Sequence, residues 1–143
     1  MSSDTQQNNS HHRNSALQEP SLQLALCLAQ AAADRKGGEL VVLDVAEMSY
    51  LADYFVIVSG FSRTQTRAIA ESMLEVAQHD CDRLPRRQEG KAEGSWILLD
   101  YGDVIAHVFM PEQREFYDLE AFWGHADQLE LPSLLPNSPP THP

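Results

Sequence analysis

The run W-I-L-L-D-Y-G-D-V-I-A-H-V-F, from Trp96 to Phe109, constrains the fold more than any other segment of this chain. Two stretches rich in β-branched and aromatic residues flank a glycine-containing break, the pattern of a β-hairpin. A tight turn is expected at Tyr101-Gly102-Asp103, with the carboxylates of Asp100 and Asp103 at its tip. Side chains alternate between the two faces of a strand. If the loop holds two residues, whichever two, Trp96, Leu98 and Asp100 share a face with Ile105, His107 and Phe109. The opposite face, Ile97 and Leu99 with Val104, Ala106 and Val108, is purely aliphatic and belongs in a core. One side of the hairpin therefore buries, and the other carries an aromatic, polar and acidic mixture suited to gripping a partner.

Around this hairpin the chain of 143 residues has room for one domain and two tails. Residues 1–19 are rich in Ser, Asn, Gln and His and read as a disordered N-terminal tail. Residues 132–143 hold five prolines and read as a second disordered tail. The folded domain is assigned to residues 20–131. Ser21 is a predicted N-cap for a helix whose apolar residues Leu22, Ala25, Leu26, Ala29 and Ala33 repeat at helical spacing. Leu40 to Leu43 and Tyr54 to Val58 read as strands buried on both faces. Ser62 and Gln65 form a capping box that opens a long helix with Ile69, Ala70, Met73, Val76 and Ala77 inward. A polar connection with one edge strand spans Cys81 to Gly94, and a helix pair follows the hairpin from Glu112 to Trp123. This order predicts an α/β (α+β) single domain, a mixed sheet flanked by helices.

Charge narrows the partners. The net charge is −11, and Asp100 to Glu130 holds eight acidic residues against Arg114 alone. A phosphate backbone is bound through Lys and Arg, so direct nucleic-acid binding is not expected. A basic protein surface would be attracted, although an ordinary solvated acidic face also has this pattern. No apolar run approaches the roughly 20 residues that span a bilayer, and no secretory signal or transit peptide is visible. Cys27 and Cys81 lie in predicted helices without ligand-like spacing and read as buried, reduced thiols of a cytoplasmic protein.

Signals for chemistry are weak. Ser59-Gly60 before a helix start could cradle a phosphate, but its only neighbouring cation is Arg63. A nucleotidyl-transferring enzyme needs two carboxylates together on one strand face to hold Mg²⁺. Among Asp44, Asp53, Asp100 and Asp103, no two sit two residues apart on one strand. His107 could serve as base or ligand, but a packed side chain or a partner contact is the better account. No Walker loop, CxxC or HExxH is present. The expectation is a protein without an active site, cofactor or metal. Its rivals are an active or degenerate Mg²⁺-dependent nucleotidyltransferase using Asp44 or Asp53, and a homodimerising scaffold paired through the Trp96 face.

Several segments in order carry a family resemblance: V-L-D-V (Val42 to Val45), A-D-Y-F-V-I-V-S-G (Ala52 to Gly60), R-A-I-A (Arg67 to Ala70), Glu89-Gly90, the hairpin itself, and E-x-R-x-F-Y-x-L-E-x-F-W (Glu112 to Trp123). Together they resemble the ribosomal silencing factor family, RsfS or Iojap-related, from about Leu22 to Ala126. The resemblance implies a fold similar to nucleotidyltransferases without their catalytic carboxylates. It implies a translational repressor that binds the large ribosomal subunit through the universal large-subunit protein fourteen. Occupancy there blocks joining of the small subunit when nutrients are short. A homodimer when free is a further state it allows. Carried over by position, the partner-binding residues are Trp96, Leu98, Asp100, Tyr101, Gly102, Asp103 and His107. Phe61 departs from the pattern, which has a small or polar residue between Gly60 and Ser62.

Overall fold

The structure, a computed structural model, describes residues 20–131. Both expected tails lie outside these residues. Helix α1 covers residues 20–34, and β1 (Gly38–Asp44) and β2 (Tyr54–Ser59) follow. Then come α2 (Arg63–Cys81), β3 (Arg87–Glu89), β4 (Trp96–Asp100) and β5 (Val104–Phe109). Two short helices, α3 (Pro111–Tyr117) and α4 (Leu119–Phe122), precede β6 (Asp127–Gln128). The strands form one mixed sheet in the order β3-β4-β5-β2-β1-β6, in which only β2 and β5 pair in parallel. The α/β (α+β) single-domain expectation holds.

Each face of the sheet has its own core. Val42, Val56 and Val58 join the aliphatic hairpin residues Ile97, Leu99, Val104, Ala106 and Val108 beneath α1 and α2. Val41, Leu43, Phe55, Ile57 and Phe109 point the other way, under Leu119 and Trp123 of the α3–α4 segment. The continuous apolar runs of β1 and β2 follow from burial on both faces.

The capping box at α2 forms with a shift. The Ser62 hydroxyl accepts from Gln65 N–H at 3.0 Å, but the Gln65 side chain reaches Phe61 N–H at 2.7 Å, one residue before the cap. Gln65 Nε2 also donates to the carbonyls of Arg35 and Lys36, which ties α2 to the end of α1. Residue 20 is already helical, so Ser21 is no N-cap: its hydroxyl donates to Asp103 Oδ2 at 2.6 Å, across the fold. Cys27 and Cys81 are free and half-buried rather than fully buried. The ring of Phe61 lies over Gly38, where an added Cβ would stand 2.6 Å from Phe61 Cζ. Phe61 therefore covers the start of β1 and occupies space that only glycine leaves open.

Candidate functional site

The hairpin has the expected register. Trp96 pairs with Phe109, Leu98 with His107 and Asp100 with Ile105 across the two strands. Tyr101 N–H donates to Val104 C=O at 2.9 Å, so the loop proper is Gly102-Asp103. Gly102 takes its first position at φ 93°, a conformation glycine adopts without a Cβ clash. Asp100 Oδ1 accepts from Gly102 N–H at 2.8 Å and closes the turn.

Burial divides the seven predicted contact residues. Asp100 is 3 % exposed, Tyr101 5 % and His107 6 %, whereas Trp96, Leu98, Gly102 and Asp103 reach the surface in part. The acidic tip is largely spent within the chain. Asp100 faces Arg86 at 3.4 Å and Arg87 at 3.3 Å. Asp103 accepts from Arg83 Nη2 at 2.5 Å and from Ser21. Burial alone would raise the Asp103 carboxyl; the Arg83 and Ser21 hydrogen bonds outweigh it and hold the group below its ordinary value. Tyr101 turns toward α1 and α2 and joins their core, and burial pushes its phenol up to about 12. As placed, Tyr101 presents little of its ring at the surface, and a turn position has no periodicity to reveal its side.

On the opposite face the aromatic side chains form a continuous array. Trp96 stacks on Phe109 with ring centres 4.8 Å apart and meets Tyr117 at 4.6 Å. Phe55 contacts His107 and Trp123 edge-on, at 5.3 and 5.2 Å. Phe116 and Phe122 extend the array outward, 79 % and 78 % exposed. Such exposed aromatics beside half-buried ones form a candidate binding surface. His107 lies beneath: its Nδ1 accepts from Trp96 Nε1–H at 3.2 Å, and its Nε2 has no hydrogen-bond partner among the described residues. Burial pulls the imidazole down to about 4, against a smaller opposing pull from Asp100, so the ring is neutral near pH 7.

Sequence reasoning missed what mounts this array. Arg114 is buried in α3 and its fork holds Glu120 of α4, with Nη2–Oε2 at 2.7 Å and Nε–Oε1 at 3.1 Å. Its Nη1 donates to Ser59 Oγ at 2.9 Å. The loop considered for phosphate thus anchors an arginine. Of the carboxylates considered for Mg²⁺, Asp44 Oδ1 accepts from Ala46 N–H at 3.1 Å and Asp53 accepts from Ser21 at 3.3 Å. Among the described residues no group of three or more His, Cys, Asp or Glu could hold a metal ion. No helix among them is long and apolar enough to cross a membrane.

A family model described as "Ribosomal silencing factor during starvation" matches residues 18–142. The chain belongs to the ribosomal silencing factor family. It is 39% identical over 114 residues to Ribosomal silencing factor RsfS of Halalkalibacterium halodurans, covering 80% of this chain and 94% of that one. It is 42% identical over 112 residues to "Protein Iojap, chloroplastic" of Arabidopsis thaliana, covering 78% of this chain. The chain spans 46% of that plant relative's own length. A solved structure of a Chromobacterium violaceum protein superposes with a TM-score of 0.69 at 31% identity, over 72% of this chain and 85% of that one. In this member of the family, the Trp96 face and the α3–α4 segment are the candidate docking surface.

Proposed function

We propose that this protein silences translation by occlusion, not by chemistry. It binds the large ribosomal subunit through the universal protein fourteen and keeps the small subunit from joining, notably under nutrient limitation. The observation that carries this reading is the juxtaposition of Trp96 with Tyr117, Phe116 and Phe122 on one sheet face. The helix that supplies Phe116 and Tyr117 also holds Glu112 and Glu115. Aromatic anchors with an acidic surround suit a basic protein surface. Family membership supports the ribosomal target, and the net charge of −11 disfavours ribosomal RNA as the primary contact.

Within the expected contact set, Trp96 and Leu98 touch the partner, with Gly102 and Asp103 at the margin. Asp100, Tyr101 and His107 act from beneath, by fixing the hairpin that presents the others. A cytoplasmic location fits this reading; the name of the Arabidopsis relative places that protein in chloroplasts. The test is co-sedimentation with separated ribosomal subunits. Association with the large subunit alone, and fewer joined ribosomes on addition of the small one, is expected. Association with neither subunit overturns the proposal.

A further inference from the structure

One pair of reactive groups stands apart from the docking face. Cys27 of α1 and Cys81, the last residue of α2, are 54 positions apart in sequence. Their sulfurs meet at 3.3 Å, and both residues are half-buried, so a small oxidant can reach them. Two thiols in contact need only close to the roughly 2 Å of a disulfide bond.

We infer that Cys27 and Cys81 form a redox-modification site, oxidised by a peroxide to an intrachain disulfide that staples α1 to the end of α2. In the first step one sulfur, giving up its proton, attacks a peroxide oxygen. The O–O bond breaks, the sulfur becomes a sulfenic acid, and the departing oxygen leaves as water once protonated. In the second step the other sulfur attacks the sulfenic sulfur, the S–S bond forms, and the sulfenic oxygen leaves as a second water. Two thiols lose two protons and two electrons, and one hydrogen peroxide becomes two waters. Burial, with the neighbouring Cys81, pushes the Cys27 thiol up to about 12, so Cys27 rests as a thiol until an oxidant arrives.

The surroundings give this bond a consequence. Two residues beyond Cys81, Arg83 holds the Asp103 carboxylate and the Tyr101 carbonyl, while α1 holds Asp103 through Ser21. The two segments that grip the hairpin tip are therefore the two that the disulfide joins. Oxidation closes that ring covalently and bridges a long stretch of chain, the case in which a cross-link most restricts the unfolded state.

The experiment titrates the full-length reduced protein with hydrogen peroxide and follows mass, thiol count and melting temperature. Expected are a mass lower by two hydrogens, loss of both thiols together, a monomer on a non-reducing gel and a higher melting temperature, all reversed by dithiothreitol. Cys27→Ser and Cys81→Ser should lack the mass loss and the stabilisation. Oxygen added to each sulfur without hydrogen loss, a disulfide-linked dimer, or two persistent thiols would each overturn the inference. A second measurement avoids the variants: phenylarsine oxide, which bridges adjacent thiols, should bind the reduced wild type one-to-one and be released by a dithiol. Failure to bind counts against the site as well.

Discussion

The indole N–H of Trp96 donates to Nδ1 of His107 across 3.2 Å, so the neutral imidazole carries its proton on Nε2. His107 is thus held uncharged under the half-exposed ring of Trp96. Its value is lowered from 6.5 to about 4, so the unfolded chain takes up a proton in that window that the folded one refuses. The contribution to stability is full above about pH 6.5 and is lost as pH falls toward 4, at most about 3 kcal/mol. Urea unfolding at pH 7 and pH 4.5 measures it. Wild type should lose more stability between the two than His107→Gln, and parallel losses would refute the assignment.

Asp103 gives the opposite signature. Its carboxyl is held below its ordinary value of 3.8, so its contribution is present above that value and disappears as pH falls through the folded one. Asp103→Asn should cost about 2 kcal/mol at neutral pH, because Arg83 and Ser21 both lose an ionised partner. The gap between variant and wild type should narrow in acid, as read by thermal melts across the range.

Arg114 mounts α3 and α4 on the sheet through Glu120 and Ser59. Truncation to Ala leaves Glu120 without its guanidinium and should destabilise the fold by about 3 kcal/mol. Limited proteolysis should then cut first within residues 111–123. Glu120→Gln keeps the Ser59 bond and should cost less.

The proposed docking face separates binding from folding. Phe116 is largely solvated, so Phe116→Ala should change stability by less than about 0.5 kcal/mol yet weaken large-subunit association. Trp96→Ala should cost about 2 kcal/mol or more of binding and some stability too, since the indole also stacks on Phe109. Co-sedimentation and melting of the two variants distinguish these effects. Unchanged association for both would place the contact elsewhere.

How much of this was legible in the sequence depends on how local each signal is. The two hairpin faces follow from a period of two and one glycine, and every pair from Trp96–Phe109 to Asp100–Ile105 is in the expected register. The cap at Ser62 also depends on neighbours three residues away. Asp103 was read as an exposed charge because its partners, Ser21 and Arg83, lie 82 and 20 residues distant and no local pattern announces them. Arg114 looked like the one cation in an acidic stretch; only the fold brings Ser59 beside it. The two-residue strand β6 is too short to show any alternation. The residues that share a face with Trp96 follow from the alternation, while no local pattern places the rings of Tyr117 and Phe116 beside them.

The parallel seam between β2 and β5 aligns Tyr54 with Val104 and Ser59 with Phe109. During synthesis the middle strand of this sheet therefore waits unpaired on that side until some fifty further residues have been made. A nascent copy thus lacks the platform that carries Trp96 until most of the domain has been translated.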